Sequence, residues 1–380
     1  MRERPKWTSL TMAGVTRADR CPGVLRPHLA QDGAVVRIRV PGGQTTGSAL
    51  GWLSRIAQQF GSGDVQLTSR ASLQLRGLPN PVPADFIDAV REIGFLPSES
   101  HERVRNIVAS PLTGIRGGLS DVRPLVASLD AALCAQPQLA RLPGRFLFAV
   151  DDGRGDISGT QFDLAYRSVD HDHGWVLLGG DTRLGKLVPA ADVIETLLDL
   201  ANQFLAAGRG SRDVWHVRDI AGWAASVPGV HAIDLPALTA DTPLGAIAGA
   251  ASLHVPLALL TPAQAAAVEG HAAGPVVITP SRGLVLPDAA GHLPQLLAAG
   301  LVADPASPWP AISACIGAPY CANSLISTRA YATALARSGS RLRRTHISGC
   351  ERRCGAPTGD HHDLVAPGDI ELLTLVGQAD

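Results

Sequence analysis

Asp64-Val-Gln-Leu-Thr-Ser-Arg70 and Val276-Val-Ile-Thr-Pro-Ser-Arg282 are two strand-like segments that each run through a Ser-Arg pair toward a second apolar segment. These second segments are Leu73-Gln-Leu-Arg-Gly77 and Gly283-Leu-Val-Leu-Pro287. The repeated order predicts a duplicated α+β scaffold, and chance similarity between alanine-rich segments is the alternative. In each copy a strand-like segment and a helical segment come before these two strands. In the first copy they are Val35–Val40 and Ala49–Phe60. In the second copy they are Leu253–Leu259 and an alanine-rich helix from Thr261-Pro262 to about Gly270.

A second kind of unit follows each copy of this pattern. We expect four units with the limits 15–90, 91–230, 240–303 and 304–380. The second unit contains a predicted helix at Leu187–Leu205, and the fourth has helical composition over Asn323–Arg337. The segment Ser226–Thr242, rich in proline and small residues, is the expected linker.

The composition excludes several classes of partner. The 380 residues suffice for two or three compact cores. The 33 basic and 34 acidic residues give a formal net charge of −1, so no overall field favours nucleic acid or a membrane surface. No apolar stretch has the length of a secretory signal or of a membrane span of about 20 residues. We therefore expect a soluble, cytoplasmic protein that binds neither nucleic acid nor a membrane.

Four of the six cysteines are clustered in the sequence, with the pattern Cys-x5-Cys, 28 further residues, and Cys-x3-Cys. A cytoplasmic chain of this size does not need a disulfide framework, so the clustering indicates metal. Long gaps with nearby glycines favour an iron–sulfur cluster, while zinc and unrelated cysteines are the alternatives. The amides at the start of a helix after Cys321 would favour a negatively charged cluster. The four candidate ligands are Cys315, Cys321, Cys350 and Cys354.

These motifs resemble the nitrite and sulfite reductase superfamily over nearly the whole chain. Thr68-Ser-Arg70 with Gln74-Leu-Arg-Gly77 is similar to one motif of that superfamily, and Arg105-Asn106 is similar to another. The resemblance implies two ferredoxin-like half-domains that alternate with two cluster- and haem-binding domains about a pseudo-twofold axis. It also implies a [4Fe-4S] cluster on the four cysteines, with Cys354 as the residue that would also ligate a siroheme iron.

One departure points away from a reductase of small anions. Such reductases place two basic residues at alternate positions of one strand, whereas this chain has Arg145 and the apolar Leu147. A small anion there would lose half of its charge compensation. Because strand side chains alternate, we expect Leu147 to face the same pocket as Arg145.

The chain more closely resembles the precorrin-3B synthase family of aerobic cobalamin biosynthesis. That family implies an oxygen-dependent monooxygenase that hydroxylates precorrin-3A and forms a lactone, with a non-haem iron as a further cofactor and siroheme as the less expected one. No Gly-x-Gly-x-x-Gly follows a strand, so an external NADH-dependent donor is expected. Glu351-Arg-Arg353 departs from this family's pattern. The resemblance rests on Cys21-Pro-Gly-Val-Leu-Arg26, Asp32–Gly43, Leu142-Pro-Gly-Arg-Phe-Leu-Phe148 with Asp151-Asp-Gly153, and Thr279–Pro287.

Arginines are the candidate groups for a tetrapyrrole, because its acetates and propionates need charged donors that converge from several strands. Each arginine taken alone is more often a solvated surface residue. Arg145 and Arg105 are the candidate catalytic pair. The candidate ring-binding residues are Arg37, Arg39, Arg70, Arg76, Arg103 and Arg282.

Two polar runs supply the imidazole and carboxylate groups of a non-haem iron site, namely Asp170-His-Asp-His173 and Asp360-His-His-Asp363. A surface loop is the alternative for each run. Two other functions stay open for the whole chain: a siroheme-dependent nitrite or sulfite reductase, and a non-catalytic electron carrier.

Overall fold

The first copy of the repeated pattern forms a sheet with two helices. This computed structural model describes residues 19–157, 159–209, 213–235, 242–272, 274–338, 343–357 and 359–367. The elements of the first copy are β1 (His28–Ala30), β2 (Gly33–Ile38), β3 (Gln44–Thr46), α1 (Gly47–Phe60), β4 (Val65–Leu67), β5 (Leu73–Leu78) and α2 (Ala84–Glu92).

The next unit contains a six-stranded sheet of order β11-β10-β9-β8-β7-β6, with α3 and α4 packed on it. Its elements are β6 (Ile107–Ala109), α3 (Arg123–Cys134), β7 (Phe148–Asp151), β8 (Leu164–Ser168), β9 (His173–Leu178), β10 (Asp181–Pro189), α4 (Val193–Ala207), α5 (Trp223–Ser226) and β11 (His231–Ala232). The helix predicted from Leu187 was therefore placed too early. Leu187 belongs to β10, and Pro189 ends that strand just before the helix.

The second copy of the pattern and the cysteine segment complete the chain. Their elements are β12 (Gly245–Ile247), β13 (Ala250–His254), β14 (Leu259–Leu260), α6 (Pro262–His271), β15 (Pro275–Ile278), β16 (Gly283–Leu286), α7 (Leu293–Ala298), β17 (Ile312–Ala314), α8 (Thr328–Arg337), β18 (Thr345–Ser348) and β19 (His362–Val365). Strands β17, β18 and β19 form a parallel sheet. None of the helices in the described residues is long and apolar enough to cross a membrane.

The two copies of the pattern exchange their edge strands. One sheet has the order β1-β2-β5-β4-β14, and the other has the order β12-β13-β16-β15-β3. Each thus receives its last strand from the other copy, with Leu260 opposite Val65 and Val276 opposite Thr45. Buried side chains of both copies form one apolar core. The predicted duplication is confirmed, and the two half-domains share a single core.

Matching caps start the two central helices. Thr46 accepts a hydrogen bond from the amide of Ala49 at the start of α1. Thr261 does the same for Gln264 at the start of α6, where the glutamine side chain also accepts from the Thr261 amide. Each cap satisfies amides that the first helical turn leaves without partners. The predicted helices at Ala49–Phe60 and after Thr261 are therefore confirmed.

The six-stranded unit and the cysteine segment also share a substructure. Strands β6, β7 and β8 are parallel neighbours in the same order as β17, β18 and β19, and one helix follows the first strand in both cases. The Ser110 amide donates to the Val150 carbonyl at 3.1 Å, and the Cys315 amide donates to the Ile347 carbonyl at 2.9 Å. Ser110 thus occupies in the first unit the place that Cys315 has in the second.

A tight turn before the exchanged strand β3 requires Gly43. Its φ is 69°, and a Cβ there would lie 2.0 Å from the carbonyl oxygen of Ile278 in β15. Gly94 has a φ of 84° but has open space around the same position. We expect Gly94→Ala to cost about 1 kcal/mol through its dihedral angle. Gly43→Ala should cost roughly 3 kcal/mol or more, because rigid backbone must also move.

Urea unfolding followed by circular dichroism measures both variants under one condition. Equal destabilisation by the two substitutions would contradict the close contact between the half-domains at Gly43.

Candidate functional site

The four clustered cysteines lie at one end of the parallel sheet. Cys315 follows β17, Cys350 follows β18, and the loops after these strands carry Cys321 and Cys354. The carboxyl ends of neighbouring parallel strands lie at the same edge of a sheet, which brings the two loops together. The amide of Gly349 donates to the Cys315 sulfur at 3.3 Å, so the backbone fixes the position of that sulfur.

The electrostatics indicate that the four thiols are close together. Burial raises the pKa of the Cys354 thiol, and the nearby Cys315, Cys350 and Cys321 raise it further, while Arg352 lowers it. Yet no three of these sulfur atoms lie within 4.8 Å of one another in the described part of the chain. Zinc–sulfur bonds of about 2.3 Å would bring sulfur atoms to roughly 3.8 Å of each other. Four thiolates in this wider arrangement fit a cluster of several irons better than a single zinc ion.

The predicted helix after Cys321 is wrong in its position. Helix α8 begins only at Thr328, and Cys321 lies in a turn. The amides of a helix start therefore do not face a cluster at that residue. Glycines shape the loops instead, because a Cβ on Gly317 or Gly349 would collide with Thr328 or Ser324.

Three of the predicted arginines, Arg37, Arg39 and Arg70, form a group in which Arg39 is buried and the other two are half-buried. Arg39 is 2% exposed and donates to the carbonyls of Arg103 and Gly144 at 3.3 and 3.2 Å. Burial, together with the charges of Arg37 and Arg70, lowers the pKa of Arg39 to about 9. Its Nη1 and the Nε of Arg37 are buried without a hydrogen-bond partner among the described residues. The group therefore holds unused cationic donors.

Other polar and aromatic side chains surround this group. Arg70 donates to the carbonyl oxygen of Arg145 at 2.9 Å, and the exposed Arg145 guanidinium lies 5.7 Å from the Trp215 ring. Arg103 forms an ion pair with Asp19 at 3.1 Å. Sequence reasoning missed Trp215 and Asp19, although an aromatic residue shortly before a cation in Trp215-His-Val-Arg218 was an available signal. An open cavity of about 480 Å³ beside Arg103 is lined by Asp19, Arg20, Cys21, Arg26, Pro27, His28 and Leu29.

Three predicted arginines lie outside this group. Arg105 makes a two-pronged pair with Asp130 of α3 at 2.7 and 2.6 Å, and Arg76 makes one with Asp32 at 3.0 and 2.8 Å. Arg282 lies on the cysteine side of the molecule, where it donates to the Gly355 carbonyl at 3.0 Å. Their proposed contacts with a ligand gain no support from these positions.

Leu147 does not line a pocket with Arg145, so that prediction is wrong. Its side chain is 1% exposed and packs in an apolar cluster with Ile157, Phe162 and Leu177. Its amide donates to Asp163, which is fully buried. The segment before β7 turns Leu147 into the core and leaves Arg145 at the surface.

The first of the two candidate iron-binding runs is a surface turn. Asp170 caps the turn between β8 and β9 by accepting from the amides of Asp172 and His173, and it is exposed. In the second run His362 is exposed, whereas His361 and Asp363 are partly buried. The surface-loop alternative is therefore confirmed for the first run only.

One compact group of carboxylates lies elsewhere. Ligand oxygens of Asp151, Asp152 and Asp156 are within 4.8 Å of one another, and this is the one such group in the described residues. Arg154 pairs with Asp152 at 2.6 Å and lies 3.6 Å from Asp156, so it supplies a cation of its own. Burial raises the pKa of Asp156 to about 6.

Comparison with known proteins places these features in a family. A profile of the nitrite/sulfite reductase ferredoxin-like half domain matches residues 28–92. A ferredoxin–nitrite reductase of Synechococcus elongatus is 30% identical over 85% of this chain and 74% of its own length. The chain belongs to the nitrite and sulfite reductase superfamily. A precorrin-3B synthase of a Sinorhizobium species is 26% identical over 96% of this chain and 84% of its own length.

A solved structure supports the superfamily fold. The Mycobacterium tuberculosis NirA protein matches with a TM-score of 0.69 over 85% of this chain and 69% of its own, at 19% identity. The predicted α+β fold with duplicated ferredoxin-like half-domains is thereby confirmed. The half domain matched by sequence is the first, and the second has the same strand order.

The thiolate site makes a direct prediction. Replacement of Cys315, Cys321, Cys350 or Cys354 by Ser should lower iron and acid-labile sulfide by at least about half, because a hard hydroxyl is a poor ligand for a cluster. Elemental analysis of anaerobically purified protein measures both. Cys134→Ser is the matched control, since Cys134 ends α3 in a different unit. Equal iron and sulfide in all five variants would refute the site.

Proposed function

We propose that this chain is an iron–sulfur monooxygenase that converts precorrin-3A to precorrin-3B with O2. The arginine group carries the proposal, because Arg37 and Arg39 present buried N–H donors that have no acceptor in the described part of the chain. The similarity to a precorrin-3B synthase over 96% of the chain supports it.

The buried arginines favour a ligand with several carboxylates. Burying a guanidinium without a full set of acceptors is unfavourable, and Arg37, Arg39 and Arg70 also repel one another. Acetate and propionate groups would supply both the acceptors and the opposite charge. The apo group is thus destabilised in a way that binding of a polycarboxylate would relieve.

The spread of the cations favours a large ring over a small anion. Arg37 and Arg39 lie on or just after β2, Arg70 lies in the turn between β4 and β5, and Arg145 lies before β7. Donors on three separate elements can contact different edges of one tetrapyrrole. Arg145, exposed beside Trp215, would position an outer carboxylate of the ring.

Arg105 has a different proposed role. Its Nε and Nη2 already donate to Asp130, and its side chain is almost fully buried. We expect it to act as a positioning residue that fixes α3 against the segment carrying Arg103, and not to contact the substrate.

The chemistry requires electrons as well as oxygen. A [4Fe-4S] cluster bound by the four cysteines would transfer electrons one at a time. One atom of O2 enters the product, and the other leaves as water with two electrons and two protons that an external NADH-dependent donor supplies. The arginines hold the ring in place while this occurs, and we propose no nucleotide site on this chain.

A siroheme-dependent nitrite or sulfite reductase is the second candidate, because a ferredoxin–nitrite reductase is 30% identical to the chain. The visible spectrum of the purified protein separates the two proposals. Bound siroheme gives strong discrete bands, whereas a cluster alone gives a broad shoulder.

The proposed reaction is tested with precorrin-3A, a chemical reductant and oxygen-18 gas. We expect one heavy oxygen atom in each product molecule, as read by mass spectrometry. Rapid reduction of nitrite or sulfite, with no oxygen-dependent change in precorrin-3A, would favour the second candidate instead.

Arg37→Ala and Arg145→Ala test the binding site. Each removes a charge-assisted interaction of about 1.5–3 kcal/mol, so the Kd for precorrin-3A should rise roughly 10- to 150-fold. Fluorescence titration under anaerobic conditions measures the Kd without turnover. Arg91→Ala is the control, since Arg91 pairs with Asp88 and Glu99 on an exposed face of α2. An unchanged Kd in both test variants would contradict the proposed arginine site.

A further inference from the structure

One histidine lies against a fully buried carboxylate beside the arginine group. Nδ1 of His216 is 3.2 Å from both oxygens of Asp163, which comes just before β8. Asp163 is fixed, because it also accepts from the amides of Leu147 at 2.9 Å and Val217 at 2.8 Å. The His216 side chain keeps 12% of its surface exposed. The pair therefore connects the core with the surface of the molecule.

The carboxylate defines the tautomer of His216. A carboxylate that already accepts from two amides is ionised and can only accept a further hydrogen bond. Nδ1 of the ring therefore carries the proton, and in the neutral ring Nε2 carries the lone pair. Nε2 is neither buried nor hydrogen-bonded within the described residues.

The backbone of His216 is held as well. Its amide donates to the Asp219 carboxylate at 2.8 Å, and its carbonyl accepts from the Asp219 amide at 3.0 Å. Side chain and backbone are thus both fixed, and the imidazole presents Nε2 to the surface without a large loss of conformational freedom on binding a ligand.

The segment that carries this histidine lies beside the proposed ring-binding arginines. The Trp215 ring is 5.7 Å from the Arg145 guanidinium, and the Arg145 carbonyl accepts from Arg70 at 2.9 Å. Burial lowers the pKa of Arg70, and the nearby charge of Asp163 raises it. The charges of Arg145 and Arg218 act in the same direction as burial, so these groups are close together.

The charges around His216 determine its state with and without a ligand. With the site empty, the nearby cations disfavour a second proton on the ring. Ligand carboxylates that pair with these cations remove the repulsion and bring negative charge to Nε2, and Asp163 then stabilises the imidazolium from the other side. The charged side chains come from the segment of the histidine itself, the turn between β4 and β5, and the segments before β7 and β8; they are Arg218, Asp219, Arg70, Arg145 and Asp163.

We infer that His216 binds a carboxylate of the ring as an imidazolium, so that one proton is taken up when the ring binds. The proton comes from solvent and remains on Nε2, and no bond of the ligand breaks. The inference rests on the proposed function for the kind of ligand. It concerns binding alone, however, and requires neither O2 nor electron transfer.

The test measures binding of uroporphyrin III, a stable tetrapyrrole with acetate and propionate groups, to the cluster-loaded, ring-free protein without oxygen. Titration calorimetry at about pH 7.5 in phosphate and in Tris, whose ionisation enthalpies differ, gives the number of protons taken up. We expect roughly one proton per chain in the unaltered protein and less than about half of that in His216→Gln. The Kd of His216→Gln should be roughly tenfold higher or more, because a charge-assisted hydrogen bond is lost.

Asp163→Asn separates proton uptake from simple contact. An amide at this place can donate to Nδ1, which moves the ring proton to Nε2 and lets the neutral imidazole donate to the ligand. Proton uptake should therefore fall as in His216→Gln, whereas the Kd should rise less. Urea unfolding reports whether Asp163→Asn keeps its fold. If it does not, His216→Gln carries the test alone, since that variant leaves Asp163 in place.

His173→Gln is the matched control. His173 also lies against an aspartate, Asp170, but on the exposed turn at the other end of β8, so its replacement should change neither the Kd nor the proton uptake. Equal proton uptake by the unaltered protein and His216→Gln would overturn this inference and leave the proposed reaction in place. Absence of uroporphyrin III binding would overturn both this inference and the arginine site. Proton-coupled binding without oxygen-18 incorporation would refute the proposed reaction alone.

Discussion

Strand β3 of the first half-domain pairs with β15 of the second, and β14 of the second pairs with β4 of the first. Because neither sheet is complete without the other, the two half-domains bury one common core. Arg70 lies in the turn of the hairpin β4–β5, and Arg282 lies in the turn of the equivalent hairpin β15–β16. The two turns contact different parts of the chain. Arg70 reaches the segment before β7, and Arg282 reaches the loop after Cys354. Strand exchange thus fixes one arginine at the proposed ring site and another at the cysteine site.

The six-stranded unit and the cysteine unit differ in the residue that follows their first parallel strand, which is Ser110 in one and Cys315 in the other. In the cysteine unit the Gly349 amide donates to the Cys315 sulfur at 3.3 Å, and in the six-stranded unit the Asp152 amide donates to the Ser110 hydroxyl at 3.1 Å. The backbone positions are therefore equivalent, but a hydroxyl surrounded by aspartates replaces the thiol. Arg154 balances these carboxylates, so this unit carries an internal ion pair where its counterpart presents soft ligands.

Local sequence pattern predicted much of the fold but not the long-range pairing of charges. The α1 and α6 helices and the duplicated strand order follow from periodicity and capping residues, which act within a few positions. Spacing alone also identified the four cysteines as one group. The partner of Arg105 could not be predicted, because Asp130 lies 25 residues away on a helix whose packing is set by the tertiary structure. Leu147 was misplaced for the same reason, since it precedes the regular strand and the core determines its direction.

The loop from Cys350 to Cys354 is held from two sides. Arg282 of the second half-domain donates to the Gly355 carbonyl, and Arg353 of the loop itself pairs with Asp363 on β19. Glu351 adds a second carboxylate to Arg353 at 3.1 Å. A shift of the loop that accompanied a change of charge on its thiolates would move Arg353, and with it the carboxylate that faces His361. The Glu-Arg-Arg sequence between the two cysteines therefore connects the loop to strand β19, because Arg353 pairs with Asp363.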